Sequence, residues 1–350
     1  MIKKYLKKNK KNVFIIAEAG VNHNGKINNA FKLIDLAKKA GADAVKFQTW
    51  KRGEITGKFT DKVDYIKKNY KDKKKSRYDL SEKLRLEYND FIKLKKYAET
   101  KNIIFLTTPD GFDSLNFCVN ELDIDAIKIG SSELNNYDFL SKVAECGKDV
   151  ILSTGMGNLS EVSIAVNCIK KKINKKNDLF ILQCTSEYPA PLSSINLKAM
   201  IKMREKFNLE VGLSDHSNGF NASIIACANK AIIIEKHFTL NKMMNGPDHK
   251  TSLDPNELKI FINNIRDIPV IMGSEIKKPS LNELRNLENI RRGVVAKIKI
   301  KKGTILNESM LTCKRPFIEI EPASMPKLYG KKILVNVLED QPLKWDYISD

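Results

Sequence analysis

Residues 209–240 read LEVGLSDHSNGFNASIIACANKAIIIEKHFTL. Two apolar runs of strand length, LEVGLSD (209–215) and AIIIEKH (231–237), flank a stretch long enough for a crossover helix. His216 directly follows the first run and His237 ends the second, in a chain with four histidines in all. Parallel strands buried on both faces read as nearly continuous apolar runs, and joining them takes a helix-length crossover. The same unit recurs upstream. VFIIAEA (13–19), ADAVKFQ (42–48), IIFLTT (103–108), DAIKIGS (125–131), DVILST (149–154) and LFILQCT (179–185) alternate with helix-period segments such as NNAFKLIDLAKKAGA and SEVSIAVNCIKKK. Eight strand-then-helix units predict an α/β fold closed into a parallel (β/α)8 TIM barrel, with a doubly wound open sheet as the alternative.

A closed barrel brings the C-terminal ends of its strands to one mouth, where such folds carry their chemistry. Glu18, Lys46, Thr108, Lys128, Ser131, Ser153, Ser214, His216 and His237 fall at the ends of seven predicted strands. Two imidazoles at equivalent places in consecutive units suit one divalent cation with open positions for water or substrate; a hydrogen-bonded structural pair is the alternative. Lys46 and Lys128 lie inside apolar strands (AVKFQ, AIKIG), where an unpaired ammonium is costly, so something anionic must meet them. Glu18 or Glu133 could do so as a structural ion pair. The hydroxyls of Thr107, Thr108, Ser131, Ser132, Ser153 and Thr154 favour instead a cradle for an anionic substrate. Glu18 reads as a general acid/base or an orienting carboxylate near the cation, or as half of a barrel ion pair. Asp248 and His249, in the loop NGPDHKTSLDP (245–255), contact substrate or cap the next helix.

The net charge of +19 comes mainly from lysine spread along the chain, without arginine–aromatic interleaving, which predicts small anionic substrates and no nucleic-acid partner. The six cysteines show no CxxC spacing, as expected of free thiols in a reducing compartment, and the chain reads as cytoplasmic. No uncharged apolar run approaches the roughly 18 residues of a membrane span. Past residue 275 the pattern changes. Residues 276–290 read as a polar linker, and 291–350 as short strands and turns of a separate small β-rich domain.

Taken together and in order, IIAEAGVNHNG, GADAVKFQ, TTPDGFDSLNF, IKIGSSEL, LSTGM, VGLSDHSNG, IEKHFTL and GPDHKTSLDPNEL resemble the sialic acid synthase family along nearly the whole chain, and the C-terminal segment is similar to its antifreeze-like SAF domain. The resemblance implies condensation of phosphoenolpyruvate with an N-acetylmannosamine-type aldose to a nine-carbon 2-keto acid, with release of phosphate and with Mn2+, or else Mg2+ or Co2+. It places the metal on His216 and His237. Phosphoenolpyruvate falls on Lys46, Thr108, Lys128, Ser131, Ser153 and Ser214, and the sugar on Glu18, Gln48, Glu133, Tyr188 and Asp248. It further implies a domain-swapped homodimer in which Arg315 of one subunit reaches its partner's barrel. The sister activities use a 2,4-diacetamido-6-deoxy sugar to make legionaminic acid, or make pseudaminic acid; a non-catalytic carbohydrate binder is the reading from another class. Ser132, Ser186 and the loop KRPFIEIEPASM depart from the family pattern at positions that bear on the sugar and on Arg315.

Overall fold

The eight apolar runs form eight parallel strands, and the computed structural model, which describes residues 1–69 and 76–349, closes them into a barrel. In chain order the first unit, Met1–Gly273, comprises α1 (Ile2–Lys8), β1 (Phe14–Gly20), α2 (Ile27–Ala40), β2 (Ala44–Thr49), α3 (Asp64–Asn69), α4 (Arg77–Leu84) and α5 (Tyr88–Thr100). There follow β3 (Ile104–Pro109), α6 (Phe112–Asn120), β4 (Ala126–Ile129), α7 (Tyr137–Glu145), β5 (Asp149–Ser153), α8 (Leu159–Lys172), β6 (Leu179–Cys184), α9 (Leu197–Phe207), β7 (Val211–Asp215), α10 (Asn221–Ala228), β8 (Ile233–His237) and α11 (Pro255–Met272). β1 pairs in parallel with both β2 and β8, which rules out the open sheet.

Strand alternation sorts the side chains. Phe14, Ile16, Ala44, Leu106, Ala126, Ile151, Phe180, Leu182 and Ile233 form a buried cluster inside the barrel, while Ile15, Val45, Phe105, Ile127, Val150, Ile181 and Ile234 belong to the core packed under the helices. Ile2 and Leu6 of α1 join the interior cluster. The Ile2 amide donates to Asp149 at the start of β5, and the Tyr5 hydroxyl to Asp43 just before β2, so α1 closes the end where the strands begin. Polar side chains are thus left to the other end. The one glycine inside β7, Gly212, is there for space: a Cβ would lie 2.3 Å from the Ile233 carbonyl oxygen.

Helix starts carry their own signals. Asn158 accepts from the Ser160 and Glu161 amides at the head of α8, and the Glu161 carboxylate accepts from the Asn158 amide in return. Asp254 and Glu257 make the same reciprocal cap on α11, with Pro255 in its first turn.

The second unit, Ser274–Asp350, holds α12 (Leu281–Arg285), α13 (Leu287–Ile290) and the antiparallel pair β9 (Gly293–Ala296) and β10 (Leu311–Lys314). Isolated bridges such as Ile300 to Val337 and Ile333 to Ile348 extend the pairing around a core that includes Val294, Leu306, Leu328 and Leu343. All six cysteines are free; Cys118, Cys184 and Cys227 are buried and the others half-buried. Among the described residues no helix is long and apolar enough to cross a membrane.

Candidate active site

Moving outward along the barrel interior, the layer above the apolar cluster is charged. Glu18, Lys46, Thr108, Lys128, Ser153, Ser214 and Glu235 come from seven strands and all are buried. Lys46 Nζ lies 2.9 Å from Glu18 Oε2 and 3.7 Å from Glu235 Oε2, and donates to Thr108 Oγ1 at 3.1 Å. Lys128 Nζ lies 3.6 Å from Glu235 Oε1 and donates to Ser153 Oγ at 2.8 Å. The Ser214 hydroxyl donates to Glu235 Oε1 at 3.0 Å.

The two carboxylates share two ammonium groups unequally, and this sets their proton affinities. Glu18 has Lys46 alone as a close partner, and burial, which outweighs the Lys46 attraction, pushes its pKa up to about 7. Burial acts on Glu235 as well, but Lys128 and Lys46 together overcome it and hold that carboxyl below its usual range. Burial lowers the Lys128 pKa despite Glu235, whereas for Lys46 the pull of Glu18 and Glu235 exceeds the cost of burial and raises it. The layer therefore has one firmly ionised carboxylate and one that holds a proton near neutrality.

One step farther out, the layer is aromatic and polar. The His216 and His237 rings lie 5.5 Å apart, centroid to centroid, and Tyr188 stacks on His216 at 4.0 Å. His216 Nδ1 is 2.7 Å from the Thr185 carbonyl oxygen, which makes Nδ1 the protonated nitrogen and leaves the Nε2 lone pair, 3.0 Å from the Tyr188 hydroxyl. His237 Nδ1 is buried with no hydrogen-bond partner among the described residues. Burial, the neighbouring His216 and Lys46 hold the His237 pKa well below the ordinary histidine range, so its imidazole is neutral. Burial also acts on His216, but the Cys184 thiol, 3.8 Å from Nδ1, raises it on balance. An orphaned buried nitrogen beside a second imidazole with an oriented lone pair fits a divalent cation. No group of three His, Cys, Asp or Glu side chains forms a metal cluster among the described residues, so water and substrate oxygens would complete the coordination.

These layers line a cavity of about 510 Å³ that brings together Glu18, Lys46, Gln48, Thr108, Lys128, Ser131, Glu133, Ser153, Tyr188, Ser214, His216 and His237. The Ser131 hydroxyl oxygen accepts from the Gly155 amide, Glu133 accepts from Asn136, and Gln48 reaches Glu18 Oε1 at 3.4 Å. Asp248 lines an adjoining pocket with Gln48, Tyr188 and His237, and burial pushes its pKa to about 6. Arg315 belongs to the second unit, is exposed, and donates from Nε to the Ile290 carbonyl oxygen. His249 lies off the mouth, with Nδ1 2.6 Å from the Thr239 hydroxyl.

Sequence reasoning missed Glu235 and Asp110. Glu235 stands two residues before His237 in AIIIEKH, and the two-residue strand period that makes His237 face inward also turns Glu235 inward. Asp110, two residues past Thr108, lines the same cavity with its Oδ2 buried and without a hydrogen-bond partner among the described residues, and burial pushes its pKa to about 8.

The NeuB family model matches residues 33–277 and the SAF domain matches 291–349. The chain is 43% identical over 335 residues to the N,N'-diacetyllegionaminic acid synthase of Campylobacter jejuni, covering 95% of this chain and 99% of that one. It is 34% identical to the N-acetylneuraminate-9-phosphate synthase of Homo sapiens, covering 96% of this chain and 93% of that one. Among solved structures, the N-acetylneuraminic acid synthetase of Leptospira borgpetersenii, crystallised with citrate, superposes with a TM-score of 0.67 at 33% identity, covering 79% of this chain and 92% of that one. With the barrel, the SAF segment and these relatives in agreement, the chain belongs to the NeuB family of sialic, legionaminic and pseudaminic acid synthases.

Proposed function

We propose that the chain condenses phosphoenolpyruvate with an N-acetylated mannosamine-type aldose, giving a nine-carbon 2-keto acid and phosphate. The observation that carries this reading is that two buried lysines with their hydroxyls and the His216–His237 pair line one cavity. Lys46 and Lys128, with Thr108, Ser131, Ser153 and Ser214, bind the phosphate and carboxylate of phosphoenolpyruvate. Gln48, Glu133, Tyr188 and Asp248 orient the open-chain sugar above it. His216 and His237 would hold a divalent ion, Mn2+ by preference and otherwise Mg2+ or Co2+, which when bound supplies Lewis-acid polarisation of the aldehyde oxygen. The lysines keep their grip while C3 of phosphoenolpyruvate bonds to the aldehyde carbon, water adds at C2, and phosphate leaves by C–O cleavage. Glu18, which holds a proton near neutrality, delivers it to the oxygen that was the aldehyde and regains one from the added water. A homodimer in which Arg315 serves the partner's barrel is part of the proposal, supported by the SAF match over residues 291–349.

N-acetylmannosamine and 2,4-diacetamido-2,4,6-trideoxymannose are the two acceptors, and we favour the second. Its support is that legionaminic acid synthases of Campylobacter jejuni and Legionella pneumophila are 43% and 38% identical to the chain. Phosphate release from phosphoenolpyruvate with Mn2+ tests the reading. Release that depends on an acetamido sugar is expected, with the diacetamido sugar ahead; no release with either sugar, from folded metal-replete protein, overturns it.

A further inference from the structure

A further buried ion pair lies on the opposite face of the two strands that carry the histidines. Leu213 of β7 and Ile234 of β8 belong to the core under the helices, and the two-residue strand period turns Asp215 and Lys236 the same way. The two are direct cross-strand partners in the β7–β8 register. Lys236 Nζ lies 3.0 Å from Asp215 Oδ2, with the side chains 2% and 0% exposed. The same ammonium donates to the Ser217 carbonyl oxygen at 2.6 Å. Asp215 Oδ1 accepts from the Ser217 amide at 2.8 Å and from its hydroxyl at 2.6 Å, and Oδ2 accepts from the Ser223 hydroxyl of α10 at 2.6 Å. The substrate cavity is lined by His216 and His237 but by none of Asp215, Ser217, Ser223 and Lys236.

An ion pair set in an apolar layer is a poor source of stability, because well-packed apolar side chains in its place are often as stable or more so. What distinguishes this pair is its position. Asp215 and Ser217 flank His216 in the chain, and Lys236 immediately precedes His237. One network therefore grips the backbone on both sides of the first imidazole and the residue next to the second. The ring centroids are 5.5 Å apart, so a small hinge of one strand end against the other changes the gap between them appreciably. We infer that Asp215, Ser217 and Lys236 are positioning residues, a brace on the outer face of the barrel that holds His216 and His237 at the spacing one divalent cation needs. They act through the strand ends and touch neither ion nor substrate. The inference rests on the reading of the two histidines as cation ligands.

Two measurements on the full chain test it. Lys236→Met removes the ammonium and keeps an unbranched side chain. Asp215→Asn combined with Lys236→Met leaves no charge uncompensated and keeps an acceptor for Ser217, which covers the case in which the single variant does not fold. Mn2+ titration, followed by the electron paramagnetic resonance of the free ion, should give a Kd raised at least about tenfold, the usual cost of losing a group that supports a metal ligand. Leu94→Ala, a packing defect in the core under α5, should lower the thermal midpoint and leave Mn2+ affinity unchanged. The chain has four histidines, so nuclear magnetic resonance of the ring nitrogens in histidine-labelled, metal-free protein resolves each one. The His216 and His237 signals should move in the brace variants while that of His23 stays. Unmoved His216 and His237 signals in a folded brace variant overturn the inference whatever the Mn2+ affinity, as does an equal loss of Mn2+ affinity in Leu94→Ala. Moved signals with the parent's Mn2+ affinity refute the two histidines as cation ligands and leave the brace standing.

Discussion

Glu235 is the residue on which the inner layer turns. It contacts both lysines and accepts from Ser214, so removing its charge leaves Lys46 with Glu18 as its close carboxylate and leaves Lys128 with the Ser153 hydroxyl and the Ile129 carbonyl oxygen among the described residues. Breaking a buried ion pair from one side costs about 3–5 kcal/mol. Glu235→Gln should therefore lower the thermal midpoint markedly, and millimolar phosphoenolpyruvate should restore much of the loss by supplying the missing negative charge. Thermal unfolding with and without the ligand checks both parts. The sequence showed the histidines and lysines plainly, because each interrupts or ends an apolar run. It hid Glu235 because AIIIEKH reads as one continuous strand until the inward parity of His237 is counted back.

At the level of elements, the strands were legible to within a few residues because burial on both faces makes them nearly uniform apolar runs. The helices α2, α5, α8 and α11 were legible because their apolar positions recur with helical period. α3 and α4 were not. They follow β2 within a lysine-rich stretch, and the apolar side chains they bury, Ile66, Leu80 and Leu84, cluster with Val21 and Trp50 from other strand ends. That cluster exists by tertiary contact, and no local period announces it. Asp254 offers the clearest test of a local signal. It accepts from the Asn256 and Glu257 amides, both at 2.9 Å, so Asp254→Ala should cost about 1 kcal/mol of stability, read as a lower denaturant midpoint at unchanged slope, with phosphate release preserved.

For the whole molecule, the cost of gathering ionisable groups at one rim appears as a pH dependence. The Asp110 carboxyl holds its proton up to about pH 8 in the folded chain but to about pH 4 in an unfolded one. Between these values the unfolded state has released a proton that the native state keeps, so this group's contribution to stability falls as pH rises through the window. Asp110→Asn, which mimics the protonated form, should leave the thermal midpoint unchanged near pH 4 and raise it above pH 8. A variant less stable than the parent at pH 9 would contradict that assignment.

The barrel, its polar mouth and the separate SAF segment were all readable from the order of apolar runs and motifs. The layering was not: the buried lysines and carboxylates lie deeper in the barrel than the histidines because alternate residues of the strands face inward, a relation that needs the register between strands. The measurement that tests this layering most directly is anomalous diffraction from crystals grown with Mn2+ and phosphoenolpyruvate. The account predicts a manganese peak between His216 and His237 with the phosphate and carboxylate on Lys46 and Lys128 below it. Manganese bound away from both imidazoles, or phosphoenolpyruvate lodged without either lysine, would contradict it.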